Sequence, residues 1–297
     1  MYYKCAQINI GRREIMAESH SLEPQIKEMR EPYDPPTVFG TISSVVKGRP
    51  LIRTIMHRDL RLRYHSSILG YLWTLIEPLL LAAAYYLVFV IIRGYAEVRY
   101  PLWVLTGILT WSMFTKTTRF GVNSLVKNAG LIQQVYFPRA VLLVANCGTN
   151  FIITALSMLV LIPFIILYDI TPNWRMIYVI IGMLMSGIFA LGIGLFLAPV
   201  NVKFRDIDHL IGFMIRVGFF LSPIMYTMSF IPEKYHWWYL MLNPMAVNIS
   251  MVRSGVQGEP LLISLQSVLI GFSIILFVFF AGLRNFSKKQ SKVVKFL

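Results

Sequence analysis

The residues of this chain that could do chemistry are few and far apart. Asp206, Asp208 and His209 stand close enough to suggest metal ligands, but no second acidic or histidine cluster completes a coordination shell. The expectation is no metal, with the two acids favouring the positive end of a following helix. Arg53, His57 and Arg61 recur at i, i+4 and i+8 and would form one cationic helix face. Glu77 and Arg216 are the ionisable groups inside long apolar runs, where a proton- or ion-driven carrier would set several. Aromatic rings are plentiful in the first runs: Trp73, Tyr85, Tyr86, Trp111 and Phe114 offer flat faces on which sugar rings can stack. Packing against lipid explains such rings equally well, and periodicity alone does not separate the two.

Catalytic signatures are missing. No G-x-x-x-x-G-K-[ST] occurs and no Lys follows a Gly, so the loop that cradles nucleotide phosphates is absent. G-x-S-x-G, H-E-x-x-H and C-x-x-C are absent as well. By itself the chain is expected to be neither an enzyme nor a holder of a cofactor. Its two cysteines, Cys5 and Cys147, make no disulfide framework.

The elements that must position these residues are membrane helices. Of 297 residues, 56% are hydrophobic and 14% charged, well below the roughly one quarter charged of soluble domains. Six apolar segments long enough to cross a bilayer cover 72–92, 100–118, 140–168, 176–200, 207–230 and 261–283. The expected fold is therefore all-α, a polytopic membrane protein with six transmembrane helices. The net charge of +14 suits cytoplasmic loops and anionic lipid better than nucleic acid. Most Lys and Arg fall on the face that carries both ends of the chain, which puts both termini in the cytoplasm.

Five further segments complete the organisation. Residues 1–46 read as a polar, loosely ordered cytoplasmic leader, rich in Glu, Pro and Lys. Residues 47–66 read as an amphipathic helix in the headgroup plane, its apolar half in lipid and Arg53, His57 and Arg61 near phosphates. Between the second and third spans, Val122, Leu125, Leu131, Ile132 and Val135 gather on one side of a short helix, either a docking element or a membrane-surface helix. Residues 222–260 alternate polar breaks with aromatics, a pattern for short helices dipping into the outer leaflet. Residues 284–297 form a basic cytoplasmic tail.

Taken in order, Leu69-Gly70-Tyr71-Leu72-Trp73 leading to Glu77-Pro78-Leu79, Phe137-Pro138-Arg139, Phe204-Arg205-Asp206-Ile207, Ser222-Pro223-Ile224-Met225-Tyr226 and Leu242-Asn243-Pro244 resemble the permeases of type-2 ABC exporters, in particular those for O-antigen, capsule and wall teichoic acid. The resemblance spans about 58–283. It implies a homodimer in the cytoplasmic membrane, bound to two copies of a separate ATP-binding subunit that carries ATP and Mg. It implies an undecaprenyl-diphosphate-linked polymer as substrate, with teichoic acid slightly ahead of O-antigen or capsule. By position, Leu125, Ile132, Phe137, Pro138, Arg139, Phe204, Arg205 and Asp206 would couple to the ATPase. Trp73, Glu77, Tyr85, Tyr86, Trp111 and Phe114 would line the conduit, and Pro223, Tyr226, Asn243 and Pro244 would begin the outer gate.

Three rivals stand beside this reading. A type-2 exporter of small drugs or lipids would use a closed apolar cleft in place of a long conduit. A membrane transferase on lipid-linked sugars would be active without an ATP-binding partner. A non-transporting scaffold would show no substrate-stimulated ATP turnover. The six-span arrangement makes a direct prediction: Asn128→Cys and Ser291→Cys stay shielded from an impermeant thiol reagent in intact cells, whereas Lys234→Cys reacts. Labelling at position 291 from outside overturns the topology.

Overall fold

The computed structural model describes residues 37–64, 69–92, 94, 99–134, 137–290 and 293. Most of the leader (1–36), Val135, and tail residues 291–292 and 294–297 lie outside the described residues. The described residues are helical, with no strands among them.

The helices are α1 (Val38–Lys47), α2 (Arg49–Tyr64), α3 (Trp73–Tyr86), α4 (Tyr100–Lys127), α5 (Ala129–Gln134) and α6 (Ala140–Ser157). They continue as α7 (Ile162–Leu167), α8 (Ile177–Lys203), α9 (Asp206–Leu221), α10 (Glu233–Leu242), α11 (Pro244–Gln257) and α12 (Leu265–Lys289). A 3-10 turn, Gly70–Leu72, leads into α3, and a π-helical turn, Leu87–Ile92, extends it. Each of the six apolar segments thus has a helical counterpart. Among the described residues, three stretches are both long and apolar enough to cross a membrane: Ala140–Leu167, Trp174–Lys203 and Leu265–Lys289. Helix α4 has 28 residues but carries Lys116, Arg119 and Lys127.

Local chemistry sets several boundaries. Thr37 caps α1 by accepting the Gly40 N–H at 3.0 Å, and Ser264 caps α12 by accepting the Ser267 N–H at 3.2 Å. Asp206 and Asp208 sit in the first turn of α9, as the helix dipole favours. Ser222 turns extended and ends α9 at Leu221, so this helix has 16 residues where the apolar run extends to Phe230. Helix α11 starts on Pro244 and ends at Gly258, whose φ of +71° is a left-handed C-terminal stop.

Helix α8 is the centre of the bundle, packing along α4, α11 and α12. Gly182, Ser186, Ala190, Gly194 and Ala198 follow at intervals of four and are all buried. Small residues on one stripe let backbones approach where no hydrophobic effect drives helices together in lipid. A Cβ on Gly121 of α4 would lie 2.9 Å from the Gly194 Cα, so the two helices touch backbone to backbone there. Gly192 makes the same kind of contact with α12, where its Cβ would lie 2.7 Å from the Phe279 Cα.

Two expectations change. The helix Val38–Lys47 lies inside the stretch read as leader; its Thr41 is buried and its hydroxyl is 2.7 Å from that of Ser287 in α12. Part of the apolar face of α2 is covered by protein. Leu51 and Ile55 are buried in a cluster with Leu125, Ile132, Phe137, Val141 and Leu142, because α6 offers a matching apolar surface within the chain. Arg53, His57 and Arg61 are exposed.

Gly121→Ala and Gly130→Ala are expected to move stability in opposite directions. Nothing lies within 4 Å of a Cβ on Gly130, so Ala there gains helix propensity of up to about 1 kcal/mol. At Gly121 the methyl meets backbone, and overpacking of this kind costs about 1–3 kcal/mol. Thermal unfolding of the two variants in one detergent checks the signs.

Candidate functional site

Helix α9 walls a different cavity at each end. Near its start, His209, Gly212 and Arg216 share one face at i, i+3 and i+7. Lys116, Arg119, Asn123 and Lys127 of α4 stand opposite, and Arg63 at the end of α2 closes a third side. Together they enclose a cavity of about 430 Å³. Among the described residues, five basic side chains from three helices line it, against one carboxylate, Asp208.

The walls are fixed by hydrogen bonds. Asn123 Nδ2 donates to Asp208 Oδ1 at 2.6 Å, joining α4 to α9. Asn201 Nδ2 donates to the Val122 carbonyl at 3.1 Å and to Asn123 Oδ1 at 3.2 Å, adding α8. Arg63 Nη1 donates to Asn150 Oδ1 at 3.3 Å, and Asn150 Nδ2 in turn donates to Asn146 Oδ1 at 2.8 Å. Gly212 leaves room for Arg119, whose Nη2 lies 3.0 Å from where a Cβ would be. Lys116 Nζ is 3.8 Å from Glu77 Oε2 of α3. Among the described residues, Arg119, Lys127 and Arg216 have no carboxylate within ion-pair distance. Guanidinium forks and ammonium groups in excess over carboxylates are suited to phosphate oxygens.

Past the other end of α9 lies an aromatic chamber of about 750 Å³, lined by Tyr100, Phe220, Met225, Tyr235, Trp238 and Tyr239 among others. Its geometry starts at the Ser222-Pro223 break. Ending α9 there frees the Leu221 carbonyl, which accepts from Tyr239 Oη at 2.8 Å, Tyr226 Oη at 2.9 Å and Asn243 Nδ2 at 3.3 Å. Asn243 also donates to the Ser222 hydroxyl at 2.9 Å. Burial, and next the hydrogen bond with Tyr226, push the Tyr239 phenol well above its usual range, so it stays a donor. A buried guanidinium holds the far side of the break. Arg253 donates from Nη2 to the Ile224 carbonyl at 2.7 Å and from Nε to the Trp103 carbonyl at 3.3 Å. Its Cζ lies 3.7 Å from the Trp103 ring centroid, a cation–π contact.

The residues singled out from the sequence are sorted by this structure. Tyr226 and Asn243 meet at one carbonyl, with Pro223 and Pro244 buried beside them. Phe204, Arg205 and Asp206 are exposed together at the α8–α9 turn. Leu125, Ile132 and Phe137 are buried in the chain's own core, so they present no docking surface. The exposed groups of that region are Lys127, Gly130, Gln133 and Gln134, because the apolar side of α5 is taken up by α2 and α6. Pro138 is half-buried, and Arg139 Nη1 donates to the Gln290 carbonyl at the end of α12.

The conduit residues divide. Trp111 and Phe114 are buried, 5.1 Å apart between centroids, with Phe114 stacked on Phe189 at 5.4 Å. They are core, because their face of α4 turns to α8 and α9. Trp73, Glu77 and Tyr86 are exposed, and Tyr85 is half-buried against Phe219 at 6.1 Å. Lys116, Arg119, Lys127, Tyr239 and Arg253 escaped the sequence reading as site residues. The helical spacing of Lys116, Asn123 and Lys127 was the available signal for the first cavity; none pointed to Arg253, whose partners are carbonyls far along the chain.

Comparison with known proteins gives one consistent answer. Residues 50–256 match the family described as ABC-2 type transporter. The chain is 31% identical over 254 residues to the O-antigen export system permease protein RfbA of Klebsiella pneumoniae, covering 83% of this chain and 95% of that protein. It is 30% identical over 205 residues to the RfbA protein of Myxococcus xanthus, covering 69% and 79%. With the polysialic acid transport protein KpsM of Escherichia coli it shares 24% over 217 residues, or 69% and 80%. With its apolar helices, its interrupted segment after α9 and this match over most of its length, the chain belongs to the ABC-2 type transporter family.

Proposed function

We propose that the chain is the permease of an ATP-driven exporter carrying a lipid-linked cell-surface polysaccharide outward across the cytoplasmic membrane. The observation that carries this reading is the aromatic chamber: a large hollow walled by tyrosine, tryptophan and phenylalanine rings, held open by hydrogen bonds to one freed carbonyl. Rings accept successive sugars through weak stacking contacts, and a conduit needs contacts weak enough to release. Relatives named for O-antigen and polysialic acid export support a polysaccharide cargo and give no support to teichoic acid over the others.

In this reading the permease works as a homodimer with two copies of a separate ATP-binding subunit, both termini in the cytoplasm. The polymer rides on undecaprenyl diphosphate. Docking of the ATP-binding subunit falls to the exposed ends of α4 and α5 and to the α8–α9 turn, where Phe204 projects with Lys203 Nζ 5.2 Å from its ring centroid.

Deleting the gene and restoring it in trans tests the function. Loss of surface polysaccharide with build-up of its lipid-linked form inside the cell is expected; unchanged surface polymer overturns the proposal. A double Tyr235→Leu, Trp238→Leu variant should export several-fold less long polymer while its complex still hydrolyses ATP, since it removes two ring faces from the chamber wall. Phe204→Asp should lower co-purification of the ATP-binding subunit at normal folded yield. Leu125→Asp should lower the folded yield itself, because burying an unpaired charge in that core is severely destabilising.

A further inference from the structure

The two cavities at the ends of α9 differ in charge. Basic side chains line the one near its start. Among the described residues, no side chain lining the chamber past its other end carries a charge. Cations in this region stay out of the chamber wall. Lys234 Nζ lies 4.7 Å from the Tyr235 ring centroid and does not line the chamber. Arg253 donates from Nη2 and Nε to the Ile224 and Trp103 carbonyls and lines a separate hollow of about 40 Å³.

The hydroxyls that brace the wall are spent as donors. A phenol has one proton to give and two lone pairs to offer. Tyr226 and Tyr239 make three close contacts, one each to the Leu221 carbonyl and one to each other at 3.2 Å, with a single proton apiece. The buried Tyr100 donates to the Met225 carbonyl at 3.4 Å. What Tyr226 and Tyr239 can still offer a ligand is oxygen lone pairs and ring faces, and the face of an aromatic ring is its negative side. Tyr235 and Trp238 each bring a neutral donor and a further ring face.

Uncharged sugars suit such a wall, since their C–H faces stack on the rings and their hydroxyls donate to the phenol oxygens. A carboxylate or phosphate meets negative ring faces and no cation, so it gives up water without a counter-charge. That loss recurs at every charged repeat of a polymer. We propose that the chamber, through Phe220, Tyr226, Tyr235, Trp238 and Tyr239, selects a polysaccharide whose repeats are uncharged. The proposal rests on the exporter reading and narrows its cargo: polymers bridged by phosphate, teichoic acid among them, fall outside it. Phe220 is the wall position at which charge can be altered most simply. It is exposed in the last turn of α9, and its side chain is no part of the hydrogen bonds that hold the Leu221 carbonyl.

The test uses the complete complex with its ATP-binding subunit in lipid nanodiscs, and two free oligosaccharides of equal length. Oligogalactose and oligogalacturonate differ by a carboxylate in place of each hydroxymethyl group. Binding is read as the tryptophan fluorescence change that Trp238→Phe abolishes, which confines the signal to the chamber. Oligogalactose should bind about ten-fold tighter or more. Phe220→Lys should raise the affinity for oligogalacturonate about three-fold or more by supplying the missing cation, and Phe220→Glu should not. A gain for one ligand in one variant cannot come from misfolding.

Oligogalacturonate bound in the wild-type chamber as tightly as oligogalactose, a chamber signal from neither sugar, or an unchanged preference in Phe220→Lys each overturns the proposal. These results leave the exporter reading standing, because a permease for a charged polysaccharide still restores surface polymer to the deletion strain. Failure of the wild-type gene to restore surface polysaccharide removes the exporter reading, and the binding comparison still decides which sugars the chamber accepts.

Discussion

Backbone contact between α8 and its neighbours is the constraint on which the rest of this chain depends. Within a bilayer, lipid tails solvate leucine as well as another helix does, so close packing has to supply what the hydrophobic effect supplies in water. The stripe Gly182, Ser186, Ala190, Gly194 and Ala198 gives α8 a face without side-chain bulk, and Gly121 of α4 meets it with none of its own. That approach fixes how α4 lies along α8. Asn201 near the end of α8 then reaches Asn123 and the Val122 carbonyl on α4, and Asn123 reaches Asp208 on α9. The cation-lined faces of α4 and α9 are opposed because both are referred to the same central helix.

The second recurring theme is how the chain treats polar groups that apolar surroundings would penalise. Where α9 stops, the Leu221 carbonyl loses its helical partner, and two phenols and an amide take its place. The Trp103 and Ile224 carbonyls are served by Arg253, whose charge is spread over backbone acceptors and an aromatic face. At Leu221 and Ile224 a break in regular structure has left an acceptor to be met, and side chains from distant segments meet it, whereas Arg253 reaches the Trp103 carbonyl within an unbroken helix. The aromatic chamber is thus held by the same bonds that make its irregular backbone tolerable. Aromatic walls and donor hydroxyls come together because Tyr226 and Tyr239 supply both.

Charge is distributed with equal consequence. The Lys and Arg residues whose uneven distribution underlies the expected topology also include cations that line the cavity near the start of α9. Lys127, counted with a loop in the sequence, is the last residue of α4 and lines the cavity from there. Nothing in a count of charges distinguishes the two roles.

What the sequence determined by itself was everything set by local composition and period. Long apolar runs required membrane helices, the Ser222-Pro223 and Asn243-Pro244 pairs required interruptions, and the face Arg53, His57 and Arg61 was legible from spacing alone. The even spacing of small residues in α8 was equally local and marks its packing face. Only the tertiary structure decided which apolar face met protein and which remained free. Leu51 and Ile55, read as lipid-facing, are buried on α6, and Leu125 and Ile132, read as a docking surface, are core. An amphipathic pattern states that a helix has an apolar partner and is silent about whether that partner is lipid, a second chain or the same chain. The same limit applies to the sites: Arg63, Lys116 and Arg216 are more than fifty residues apart in order yet share one cavity, and Arg253 pairs with carbonyls that have no side-chain signature at all. Convergence of that kind follows from how helices are oriented about α8, which no local period encodes.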